Sequence, residues 1–197
     1  MTNNFSPSTI GWTAIAVGVI TILAITFLAL MATVNSSFGK VNDVFNSLIG
    51  ISSVILAWML YAEHHAKSPL ISQVGLVLVA VGAIFTIIGS VLIIFGYTDF
   101  VLAGWYTGIG NALMGLWLTA FCYSMLRNNL LPNNLVVFGI VAGAFMAIGL
   151  IGISGIFAKV DSMDMPWYLY VAFFGWLGTY ILYPIWAIWM GRILLLK

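Results

Sequence analysis

From Ile10 to Val34 the chain carries no charged side chain. At a rise of about 1.5 Å per residue a helix of that length crosses a hydrocarbon layer of roughly 30 Å. Runs of the same kind recur along the whole sequence. Cutting them at the polar and proline-bearing breaks gives six spans, at about 10–34, 44–62, 70–97, 101–126, 134–158 and 167–195. Backbone groups in hydrocarbon must be satisfied within their own segment, and these runs are too long and too continuously apolar for barrel strands. The expected fold class is therefore all-α: a polytopic transmembrane bundle of six spans that fills residues 1–197 as a single domain.

Composition agrees. Hydrophobic residues make up 63% of the chain and charged ones only 6%, against about 25% charged in soluble domains. On this reading every Asp, Glu, Lys and Arg lies outside the spans except Arg192, which snorkels from the last turn of the sixth. The tail MTNNFSPST has no Lys or Arg, so it lacks the basic region of a cleavable signal peptide and the first span is read as retained. Cys122 has no partner cysteine. A net charge of +1 without a basic patch excludes nucleic acid as a partner.

Counting cations by alternate loops places Lys67, Arg127, Arg192 and Lys197 on one side and Lys40 and Lys159 on the other. This bias predicts an integral protein of a bacterial or archaeal cell membrane with both termini cytoplasmic. Asp43, Asp99, Asp161 and Asp164 fall in the opposite loops.

Glycine spacing carries the packing prediction. Gly75, Gly82, Gly89 and Gly96 recur every seventh residue in the third span. Seven residues turn a helix through nearly two full turns, so the four form one narrow stripe. In lipid, close approach along small residues is a main source of helix attraction. The fourth span offers a comparable face in Gly104, Gly108, Asn111, Gly115, Thr119 and Cys122, the fifth in Gly139 and Gly143, and the second in Asn46, Gly50, Ser53 and Ala57.

Polar residues inside the spans are few. Asn46, Ser53, Thr86, Ser90 and Asn111, with Thr107 nearby, project at comparable depth in the half of the bundle away from the termini. With Tyr180 and Trp186 of the aromatic sixth span they form a candidate ligand pocket; Trp176 and Tyr183 are similarly deep. The competing reading has each amide and hydroxyl bonded to a neighbouring helix or to its own backbone. Pro184 removes the hydrogen bond to the Tyr180 carbonyl and predicts a kink.

No carboxylate, lysine or histidine is read in the middle of a span, which argues against ion-coupled transport and Schiff-base chemistry. His64 and His65 are weak metal candidates, because adjacent positions on a helix point about 100° apart. Zinc spacings, nucleophile elbows and phosphate loops are missing. Neither a cofactor nor a catalytic residue is expected.

The stretch GNALMGLWLTAFCYSMLRNNLLPNNLVVFGIVAGAFMAIGL, with the ending PIWAIWMGRILL, resembles a group of uncharacterised six-span bacterial integral membrane proteins of unknown function. The resemblance covers about the C-terminal half, implies the same fold, and carries no site residue with it. The leading functional expectation is a non-catalytic accessory or scaffolding subunit that docks to other membrane subunits or to lipids through glycine faces. The alternative is a carrier or binding protein for a neutral or lipophilic small molecule.

Overall fold

The computed structural model describes residues 5–128 and 130–196. Lys197, counted above for orientation, and the first four residues of the tail lie outside them. Among the described residues there are six membrane-length apolar helices and no strand: α1 Pro7–Thr33, α2 Phe38–His64, α3 Pro69–Ile94, α4 Phe100–Asn128, α5 Asn133–Phe157 and α6 Trp167–Leu195. The protein is an integral membrane bundle. Its outer surface is correspondingly oily, with Trp12, Val77, Ile84 and Phe157 among the exposed side chains.

Local sequence sets the helix ends. Pro7 opens α1 in its first turn, and the Ser6 hydroxyl accepts from the Thr9 N–H at 3.1 Å. Between α1 and α2 the Asn35 side chain accepts from the Ser37 N–H at 2.8 Å, which turns the chain within a few residues. At the end of α3 the Tyr97 N–H donates to the Leu92 carbonyl at 2.8 Å and the Gly96 N–H to the Ile93 carbonyl at 3.1 Å. This Schellman closure needs the left-handed φ of 70° that Gly96 adopts. The seven-residue pattern is thereby corrected at its last member: Gly96 terminates the helix, and a β-carbon there would meet nothing within 4 Å.

The other stripe glycines face α4. A β-carbon on Gly75 would lie 2.9 Å from Trp117, one on Gly82 2.6 Å from the Gly110 carbonyl, and one on Gly89 2.8 Å from the Ala103 carbonyl. The same device joins further neighbours. Gly143 and Gly115 place their backbones against each other between α5 and α4, Gly139 lies against Cys122 and Trp186, and Gly11 against Gly191 joins α1 to α6. Consecutive helices thus pack in chain order, and the α1–α6 contact closes the ring. Its middle is filled by side chains: Trp186 lies edge-on to Trp117 and Phe121 and stacks with Tyr183.

Gly104 and Gly108 differ. A β-carbon on either would meet nothing within 4 Å; the expected packing role is corrected for Gly104, whereas the Gly108 carbonyl would lie 2.9 Å from a β-carbon on Gly149 of α5. Both border a cavity on their face of α4, and α5 and α6 each depart from regular α-helix along their length. Ile148–Gly152 of α5 is a 3-10 segment. Gly178–Leu182 of α6 is a π segment ending at Tyr183, whose N–H reaches back to the Gly178 carbonyl. The widened turn immediately precedes Pro184, which lacks an N–H and crowds the carbonyl of Tyr180. Tyr180 itself is held inward.

Gly82→Ala is expected to destabilise the bundle by about 1–3 kcal/mol through overpacking against Gly110, whereas Gly104→Ala leaves stability unchanged or slightly raised. Thermal unfolding of the purified variants in one detergent measures the contrast.

Candidate functional site

The site is built on one face of α2. Gly39, Asn42, Asp43, Asn46, Gly50 and Ser53 recur at three- and four-residue spacing and are all buried. Helix α2 begins at Phe38, so Asp43 belongs to the helix and not to the preceding loop. That corrects the reading of every Asp and Glu as lying outside the spans. Lys40, Glu63 and Arg127 likewise fall within the terminal turns of α2 and α4. Asp43 is only 6% exposed.

A hydrogen-bond relay fixes this face. The Tyr180 hydroxyl donates to Asn46 Oδ1 at 2.8 Å, Asn46 Nδ2 donates to Asn42 Oδ1 at 3.0 Å, and Asn42 Nδ2 donates to the Ala24 carbonyl at 2.7 Å. Three helices are tied by it, α6 to α2 to α1. One turn deeper, Ser53 and Tyr183 share a hydrogen bond of 2.9 Å. Each amide in the relay is held by a partner of defined orientation, which fixes where the neighbouring Asp43 stands.

Two polar atoms stand outside this network. Among the described residues, Asp43 Oδ2 and Asn111 Oδ1 are buried without a hydrogen-bond partner. Both residues line a recess of about 20 Å³ together with Asn42, Asn46, Thr107 and Tyr180. A space of that size admits a group as large as one water molecule. Leu28, Phe100, Gly104 and Trp176 line the recess and also border a larger cavity of about 420 Å³. That cavity is walled by apolar residues: Met31 of α1, Val101, Trp105 and Gly108 of α4, Gly149 in the 3-10 segment of α5, and Phe173 of α6. It lies at the end of the bundle opposite the termini, among the end of α1, the start of α4 and the start of α6.

The cavity's aromatic wall is itself ordered. Trp105 stacks on Phe173 at 5.7 Å, Phe173 meets Trp176 at 4.8 Å, and Trp176 lies edge-on to Tyr180 at 6.4 Å. The Trp105 indole donates to the Val160 carbonyl at 3.1 Å, anchoring the wall to the segment that follows α5. Absence of a side chain at Gly104 and Gly108 keeps the opposite side clear.

Of the pocket residues expected from sequence, Asn46, Asn111 and Tyr180 are brought together here. Ser53, Thr86, Ser90 and Trp186 are not. Thr86 donates back to the Ala83 carbonyl at 2.8 Å and Ser90 to the Thr86 carbonyl at 2.9 Å, so both serve their own helix. Trp186 is fully buried in the aromatic centre, with its indole nitrogen toward the Cys122 thiol. The main residue missed is Asp43. Continuing the face of Asn46, Gly50 and Ser53 back by one turn would have found it, had the span not been cut at the charge itself. His65 stacks on Tyr61, while His64 lies tilted against Phe121. Among the described residues no three His, Cys, Asp or Glu cluster as metal ligands.

Fold and site together define a six-span helical membrane protein with a ligand-sized internal cavity and a carboxylate at its inner end. Comparison with protein-family models, curated proteins and solved structures gives no match.

Tyr180→Phe removes the donor to Asn46 and is expected to lower stability by about 0.5–1.5 kcal/mol. Thermal unfolding checks it, and no loss would mean that the relay carries no net stabilisation.

Proposed function

We propose that this protein binds a lipophilic small molecule within the membrane, as a carrier or receptor without catalysis of its own. The observation that carries the reading is the cavity of about 420 Å³ between α1, α4, α5 and α6, apolar along its walls and ending at two unpartnered buried oxygens. Its size falls in the range of about 300–1,000 Å³ usual for small-molecule sites, and so does its pattern of a mostly apolar lining with a few convergent polar groups.

Two further features support it. Leaving a cavity empty in a bundle held together by close contact forfeits dispersion energy along its lining, and an occupant restores it. Non-α turns occur in both helices that border the cavity, the 3-10 segment of α5 beside Gly149 and the π segment of α6 beyond Trp176. Such interruptions frequently mark functional positions in helices.

The accessory-subunit reading rested on glycine faces left over for a partner. Gly75, Gly82, Gly89, Gly139 and Gly143 are engaged within the bundle, and Gly104 and Gly108 face the cavity. Membrane lipids cover the exposed Val, Ile and Trp side chains of the outer surface, and no partner subunit is needed to explain the glycines.

Native mass spectrometry of protein extracted gently from its membranes tests the proposal. The expected result is a stoichiometric small lipophilic mass on the wild-type protein that is lost in Gly104→Leu, a change that fills the cavity at a position where the helix tolerates bulk. A folded wild-type protein that never retains or takes up such a molecule would overturn it.

A further inference from the structure

The recess at the inner end of the cavity has the chemistry of a cation site. Asp43 is a carboxylate held within a membrane-length helix, 6% exposed, and Asn111 on the facing helix α4 is 3% exposed. The unpartnered atom of each is an oxygen. An ionised carboxylate only accepts hydrogen bonds, so an occupant that satisfies this site must donate. A carboxylate that stays ionised away from water needs an opposite charge nearby, since burial of an unpaired ion is far costlier than burial of an unpaired neutral group.

Among the described residues, those lining the recess do not supply that charge. The other residues lining the recess are Asn42, Asn46, Thr107 and Tyr180 with the apolar Leu28, Phe100, Gly104 and Trp176, and none is Lys, Arg or His. Asn46 and Asn42 each turn one amide N–H elsewhere, to Asn42 Oδ1 and to the Ala24 carbonyl, and Asp43 Oδ2 receives a hydrogen bond from neither. Three aromatic residues share the recess with the carboxylate. Phe100, Trp176 and Tyr180 border the same recess, and ring faces attract cations, most strongly in desolvated sites.

From these observations we infer that the ligand is a lipophilic amine: an ammonium group in the recess, hydrogen-bonded to Asp43 and Asn111 and flanked by aromatic rings, with its apolar body in the larger cavity. This rests on the cavity being a ligand site, as proposed above. A recess of about 20 Å³ accommodates a head group of this size and little more. The body then passes between Leu28 and Gly104 to meet the Trp105–Phe173 wall. A hydroxyl head would satisfy one oxygen and leave the charge uncompensated, and a carboxylate head would be repelled.

Decylamine and decanol, which share one apolar chain, test the assignment. Each is titrated into protein held in phosphatidylcholine nanodiscs, against empty nanodiscs, and binding is read from tryptophan fluorescence and from one-to-one adducts in native mass spectrometry. The expected result is that decylamine binds about tenfold or more tightly than decanol, the margin of one charge-assisted hydrogen bond. Asp43→Asn should remove that margin without weakening decanol, and Gly104→Leu should abolish binding of both. Equal binding of the two probes to the wild-type protein, which requires no variant to fold, overturns the amine assignment while leaving the cavity reading intact. Binding of neither probe, or binding indifferent to Gly104→Leu, overturns the cavity reading and the amine assignment with it.

Discussion

In hydrocarbon a helix gains nothing from hiding its apolar side chains, so what holds this bundle together is the approach of one backbone to another. Glycine makes that approach available. Gly82 against Gly110, Gly115 against Gly143 and Gly11 against Gly191 are three backbone contacts between neighbouring helices, and each depends on a missing β-carbon at both positions. These contacts join α3 to α4, α4 to α5 and α1 to α6, and the chain closes into a ring whose centre is filled by Trp117, Phe121, Tyr183 and Trp186. Dispersion is the currency of such a structure, and a place where neighbours fail to meet is therefore conspicuous.

Gly104 and Gly108 mark that place. They continue the small face of α4 by a helical turn or more beyond Asn111, yet a β-carbon on either would meet nothing within 4 Å, unlike one on Gly115. The two helices that border the gap are both interrupted, α5 by a 3-10 segment and α6 by a π segment ahead of Pro184. At the inner limit of the gap stands Asp43, about 8 Å along α2 from its first residue by the helical rise. A carboxylate so placed costs a membrane helix roughly 2.5–3.5 kcal/mol on insertion scales if it lies near the bilayer centre, and less toward the interface. Intramembrane ionisable groups commonly mark ligand and ion pathways for that reason. Here the relay of Tyr180, Asn46 and Asn42 holds the surrounding amides in place while leaving the carboxylate itself open.

How far the sequence led depended on which physical rule governed each residue. The six spans were legible to within a few residues at nearly every end, because length and the absence of charge are what a bilayer selects; the start of α2 differed most, at Phe38 where charge had placed it near 44. That difference concealed the site. Asp43 was assigned to a loop because it is charged, although its spacing to Asn46, Gly50 and Ser53 is helical and its side chain is buried. Gly96 kept the period of Gly75, Gly82 and Gly89 while serving another purpose, since a helix terminus in the left-handed conformation selects glycine as strongly as a packing groove does. Gly104 and Gly108 show the converse: a small face permits close packing, but whether a neighbour arrives is decided by distortions of α5 and α6 that the local sequence signals only at Pro184.

The central claim is that the space beside Gly104 and Gly108 is an accessible apolar cavity. Xenon reports such cavities directly, because it occupies dry, apolar voids of sufficient size. Crystals grown in a lipid phase and pressurised with xenon should show the gas bounded by Leu28, Gly104, Gly108, Phe173 and Trp176, just beyond the Asp43 recess. Side chains of α1 and α6 meeting α4 across that space, with no xenon between them, would contradict the account.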